Sequence, residues 1–282
     1  MKITIAHSPD SDDAFMFYAL AKGKIDTKGY ELVHVLSDIQ TLSDKAINTQ
    51  EFDLSAISYH AYPYVSENYE LMVAGASMGD NYGPTLITSS KEKPQDLLKE
   101  IKAGNIMVAV PGMLTSAYLA LKLYATNAKV EALPFDQIQD AVKSGEYKAG
   151  LIIHEGQITY KQEGFKKLVN LGEWWFDRTG GLPLPLGTNI LRKSLPANIK
   201  AELSQLLKES IEYSLKHREE ALKYALQFGR GLRNEEADRF VGMYVNELTL
   251  DLGNRGRKSV ELFLKEGYSL GLIPSLPELS FV

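Results

Sequence analysis

The chain has 282 residues, 44% of them hydrophobic and 24% charged, with a formal net charge of -5 and no cysteine. Without cysteine there are no disulfides, thiolate metal sites or thiol nucleophiles. An acidic balance with no Lys/Arg cluster makes nucleic acid and anionic membrane poor partners. The length exceeds that at which one hydrophobic core keeps growing, so two lobes are expected.

At the start, Met1-Lys2-Ile3-Thr4-Ile5-Ala6 reaches Ser8-Pro9-Asp10 before an apolar region of signal length develops. No apolar run approaches the roughly 18 residues that span a bilayer. The expectation is a cytoplasmic protein.

Strand-like runs alternate with amphipathic segments: Lys2 to Ala6 then Ala14 to Lys22, Leu32 to Leu36 then Gln40 to Asn48, Leu54 to Ser58 then a Tyr-rich helix. This is βαβ rhythm. After Leu71-Met72-Val73-Ala74 and the turn-rich Gly79 to Pro84, an extended run, Thr85 to Thr88, leads to a second set. That set comprises Ile106 to Val110 with Thr115 to Tyr124, Val130 to Leu133, the helix Phe135 to Ser144, and Ala149 to Ile153. A Gly/Pro-rich stretch, Thr179 to Gly187, precedes the extended run Thr188 to Leu191, and the chain is almost wholly helical from Pro196.

Two α/β sets joined by two extended crossings predict an α/β fold of two hinged lobes with mixed sheets and a cleft between them. The expected division is 1–88 for the first part of lobe 1, 89–187 for lobe 2, and 188–282 for a return crossing and helical tail completing lobe 1.

Ligands of open α/β sheets collect outside the carboxyl ends of the strands. His154 closes the apolar run Ala149 to Ile153 and is therefore the first candidate for a general base. Glu155 follows it directly, but neighbours on a strand face opposite ways, so no His/Glu dyad is assigned. The orienting acceptor is expected from another strand or a backbone carbonyl.

Three further strand ends, at Ser8, Ser58 and Thr115-Ser116, offer hydroxyls and helix N-terminal amides suited to carboxylate or phosphate, against the plainer reading of N-capping. Asp10, Asp12 and Asp13 lack the calcium-loop glycine and distal glutamate, and read as stabilising the first helical turn. No metal is expected.

Gly75-Ala76-Ser77-Met78-Gly79 matches G-x-S-x-G, but the Asp80 to Pro84 turn cannot supply the helix a nucleophile elbow needs. Trp174-Trp175-Phe176 reads as core before pocket floor.

Gly150-Leu151-Ile152-Ile153-His154-Glu155, with Val108 to Gly112 and Thr115-Ser116-Ala117-Tyr118, resembles the 1,4-dihydroxy-6-naphthoate synthases of the futalosine route to menaquinone. Ser8-Pro9, Asp13-Ala14-Phe15, Ser58-Tyr59, Gly181 to Gly187 and Tyr244-Val245-Asn246 extend the likeness over nearly the whole chain. The resemblance implies a periplasmic-binding-protein-like (type II) fold. It also implies a lyase that splits cyclic dehypoxanthine futalosine into 1,4-dihydroxy-6-naphthoate and dihydroxyacetone without metal or organic cofactor.

It places the proton acceptor at His154 and substrate contacts at Ala56, Ile57, Ser58, Thr115 and Ser116; Ser8 joins them as a strand-end candidate. Many members read S-P-C-P-N-D where this chain has Ser8 to Asp13, and some carry lysine where Ala56 stands. The expected partner is a small anionic substrate, not nucleic acid or membrane, with a homodimer left open. Chorismate dehydratase and a non-catalytic solute-binding protein are the rival readings.

Overall fold

Helices cover both faces of parallel strands and let them read as unbroken Val/Ile/Leu runs. The computed structural model describes residues 1–228 and 232–282. In the first lobe, β1 (Lys2–His7), β2 (Glu31–Leu36) and β3 (Leu54–Ser58) pair in parallel in the order β2-β1-β3. The short strands β4 (Tyr69–Leu71) and β5 (Ser77–Gly79) follow.

The second sheet takes β6 (Thr85–Thr88), β7 (Met107–Val110), β8 (Lys129–Ala132), β9 (Ala149–Ile152) and β10 (Lys166–Asn170) in the order β10-β6-β9-β7-β8. Its β7-β8 and β7-β9 pairs are parallel, whereas β6 runs antiparallel to both β9 and β10. In β9, Gly150 lets the helix Ile138–Ser144 pack closely, since a Cβ there would lie 2.5 Å from Ile138 Cγ2 and 2.7 Å from Val142 Cγ2.

The chain then returns to the first sheet through β11 (Leu184–Arg192), antiparallel to β3, β4 and β5. The second half of the Gly/Pro-rich stretch expected before this crossing, from Leu184 to Gly187, is thus strand. A register shift between Pro185 and Gly187 supplies the irregularity at which a residue without an N–H fits a ladder.

Two narrow crossings, residues 80–84 and 180–183, join the sheets. Of the tail helices, Ala197–Lys216 packs on the first lobe, where Ser210 Oγ donates to Met16 O at 2.7 Å. The helix Gly253–Ser269 instead lies along β11 and second-lobe elements: Trp175, fully buried, donates its indole N–H to Ser259 Oγ at 3.0 Å, and its ring meets Phe263 edge-on. Trp175 therefore belongs to the core, while Trp174 packs edge-on against Tyr124. No helix among the described residues is long and apolar enough to cross a membrane.

Candidate active site

His154 lies two residues beyond the end of β9, in a turn before the short helix Gly156–Thr159, with φ +62°. A left-handed non-glycine residue of this kind costs on the order of 1–2 kcal/mol and is found where structure or function holds it. Phe135 packs edge-on at 4.5 Å from its ring, and Nδ1 sits 2.9 Å from Asp10 Oδ2 on the opposite lobe. Asp10 Oδ2 also accepts the Ser8 hydroxyl at 2.8 Å. Strand alternation does not govern His154 and Glu155 here, because both occupy the turn. Glu155 is buried and accepts from Ser11 Oγ at 3.0 Å, again across the cleft.

Other bonds hold the lobes together. Leu114 N donates to Gln40 Oε1 at 3.0 Å, and Gln157 Nε2 donates to the Tyr244 hydroxyl at 2.7 Å. The form described is therefore closed.

The cleft they enclose has an internal volume of about 110 Å³. All seven residues expected at the site, Ser8, Ala56, Ile57, Ser58, Thr115, Ser116 and His154, line it. Several of their hydroxyls have structural partners. Thr115 Oγ1 caps its helix by accepting from Tyr118 N at 3.1 Å, and Ser116 Oγ donates to Leu186 O at 2.6 Å. What the helix start presents to a ligand is chiefly backbone: the amides of Ser116 and Ala117 in the first turn, where N–H groups lack intrahelical partners. Ser8 likewise commits its hydroxyl to Asp10.

The aspartates do more than stabilise a helix. Asp10 occupies the N-cap position of Ser11–Met16 without a side-chain capping bond, and it faces His154 instead. Burial, and then the neighbouring carboxylates Asp13 and Asp10, push Asp12 well above the usual carboxylate range. Asp13, whose Oδ2 accepts from Ser8 N at 2.7 Å, is pushed up to about 6, again first by burial.

On the same wall burial keeps the Tyr244 phenol neutral, so its hydroxyl is a hydrogen-bonding group. Ser77, Asn189, Gln157 and Tyr244 also line the cleft and were not singled out as site residues from sequence. Ser77 opens the short β5, Asn189 lies inside β11, Gln157 sits in the short helix after His154 and Tyr244 ends a tail helix, so no strand-end pattern points to them. Among the described residues no three His, Asp or Glu side chains are arranged to hold a metal ion.

Residues 3–269 match the sequence profile of a menaquinone biosynthesis family. The chain belongs to that family. Among similar proteins, the 1,4-dihydroxy-6-naphthoate synthase of Thermus thermophilus is 35% identical over 280 residues, which is 99% of each chain. The enzyme of that name from Streptomyces coelicolor is 34% identical over 97% of this chain and 95% of its own.

A crystal structure of an Archaeoglobus fulgidus protein superimposes on this family member with a TM-score of 0.90 at 42% identity, over 96% of this chain and 98% of that one. The fold is that of periplasmic binding proteins. The alkanesulfonate-binding protein of Xanthomonas axonopodis has a TM-score of 0.74 at 13% identity over 99% of this chain and 96% of its own. In the menaquinone family member the cleft thus carries a strand-end histidine facing a carboxylate from the other lobe.

Proposed function

We propose that the protein is a 1,4-dihydroxy-6-naphthoate synthase, a cytoplasmic lyase that converts cyclic dehypoxanthine futalosine to 1,4-dihydroxy-6-naphthoate and dihydroxyacetone, with His154 as general base. The observation that carries the assignment of the base is the position of the His154 ring, held between Phe135 and Asp10 on the wall of the inter-lobe cleft.

His154 removes a proton from the spiro-linked sugar portion, and the carbon–carbon bond then breaks with aromatisation of the fused ring as the driving force. General-base assistance contributes about 10²- to 10⁴-fold. Closure orients the substrate and excludes water. Two groups of lining residues differ in chemistry. The amides at Ser116 and Ala117 suit a carboxylate, whereas the wall of Asp12, Asp13, Gln157 and Tyr244 suits hydroxyls. In this reading the aromatic carboxylate lies toward the helix start and the sugar carbons lie beneath His154.

Incubating purified protein with cyclic dehypoxanthine futalosine and detecting the naphthoate by mass spectrometry tests the assignment. His154→Asn is expected to abolish turnover while retaining binding. Binding without product in the unmodified protein would favour a carrier, and substantial activity in the variant would remove His154 from the chemistry.

A further inference from the structure

Taking His154 as the base, we propose that Asp10 is its positioning residue, and that closing the lobes assembles the carboxylate–imidazole pair. The two side chains belong to segments 144 residues apart, one after β1 and the other after β9, and they meet at 2.9 Å only because the lobes are closed. Glu155 is the residue that makes the neighbouring link, to Ser11.

Imidazole has two nitrogens, and the partner of one decides the state of the other. A carboxylate only accepts hydrogen bonds, so Asp10 Oδ2 fixes the proton on Nδ1 and leaves the lone pair on Nε2. Nε2 then takes the substrate proton while the Nδ1 proton stays in place, and the adjacent carboxylate stabilises the imidazolium that forms. Without Asp10 that acceptor at Nδ1 is lost, and the tautomer with the proton on Nε2, in which Nε2 is no base, gains population.

Asp10 is built for this task. Its side chain is 5% exposed, and Ser8 Oγ, from its own lobe, donates to Oδ2 at 2.8 Å. Among the described residues, the titratable groups near the pair include Asp12 and Asp13 on the following helix, Glu155 in the turn with His154, and Tyr244 on the facing tail helix. His7, at the end of β1, is kept neutral by burial. Asp12 and Asp13 are themselves pushed upward, chiefly by burial.

Asp10→Asn tests the proposal. Asp10 makes no side-chain capping bond, and asparagine has nearly its shape, so the variant is expected to fold. Its kcat should fall by about 100-fold or more, with KM within a few-fold, since positioning acts on the base more than on binding. The acid limb of the pH profile should move to lower pH by about one unit, because an imidazolium loses an adjacent anion. Asp10→Glu, which keeps the charge, should recover part of kcat.

A readout independent of turnover separates this proposal from the assignment of His154 as base. The ¹⁵N imidazole shifts of His154, assigned by their loss in His154→Asn, should show Nδ1 protonated in the unmodified protein and a changed titration in Asp10→Asn. An unchanged titration and an unchanged acid limb would overturn the role of Asp10 even if His154→Asn is inactive. Conversely, an active His154→Asn alongside a changed titration would overturn the base while leaving the pairing intact.

Discussion

Ser11 and Glu155 close a hydrogen bond of 3.0 Å across the cleft, one residue along from the Asp10–His154 contact on both sides. Because this link exists only with the lobes together, it adds to the stability of the closed form without touching the reacting atoms. Ser11→Ala should weaken closure by about 1 kcal/mol, the net contribution of one intramolecular hydrogen bond. The expected result is a KM raised about five-fold with kcat little changed, together with a larger radius of gyration by solution scattering in the absence of ligand. An unaltered KM and radius would show that the link plays no part in holding the lobes.

The crossing at residues 80–84 is as tightly constrained. A Cβ on Gly172 would stand 1.8 Å from Tyr82 O, and one on Gly79 would stand 2.2 Å from the same oxygen. Backbone cannot yield as a flexible side chain does, so Gly172→Ala must displace either the helix Leu171–Thr179 or the crossing itself. Destabilisation of about 2–4 kcal/mol is expected, at the upper end for single substitutions. Denaturant unfolding measures it, and a loss below about 0.5 kcal/mol would mean the crossing moves freely.

How much of this could be read from sequence depends on whether the signal was local. His154 was found because a titratable residue after an apolar run is a local pattern, and Ser58 and Thr115 were found for the same reason. Asp10 was read as a helix-stabilising aspartate because its position before Ser11 is that of a cap. Its actual partner lies on the other lobe, and nothing in a one-dimensional pattern records that meeting.

The clustering of Asp10, Asp12 and Asp13 at a strand end was the available clue. Three carboxylates are more than one helical turn needs. The β11 segment misled for the opposite reason, since prolines and glycines there satisfy the ladder by an irregularity of register and not by a loop. The helix Gly253–Ser269 shows the limit for tails: helicity was legible, but the face of Trp175 against which it packs was not.

His7 sets a pH dependence of stability. Its ring stacks on Phe17 at 4.3 Å, and Nδ1 donates to Ser8 O at 3.1 Å, so Nε2 accepts from His34 Nδ1 at 3.1 Å. Burial first, and His34 second, lower its pKa from 6.5 to about 3. The unfolded chain takes up a proton below pH 6.5 that the native ring refuses, so the contribution to stability is full above that value and declines on acidification toward 3. His34, itself lowered by burial, acts in the same direction. Relative to His7→Leu, the unmodified protein should lose up to about 1.4 kcal/mol per pH unit between pH 6 and 4. A stability difference independent of pH would show that the native ring takes up the proton.

Asp13 acts with the opposite sign. Its pKa is raised from 3.8 to about 6, chiefly by burial, with Asp10 adding and the Ser8 amide opposing. Between those values the native state keeps a proton that the unfolded chain has released, so stability falls as pH rises and the penalty is complete above about 6. Asp13→Asn retains an oxygen to accept from Ser8 N but carries no charge to bury. It should therefore be more stable than the unmodified protein at pH 7 by on the order of 1–3 kcal/mol, with the advantage vanishing below about pH 4. Thermal unfolding across that range measures the difference, and an advantage constant with pH would sink this account. Asp13 also lines the cleft, so a loss of turnover is expected alongside the gain in stability, as when a charged group is retained for function at the expense of the fold.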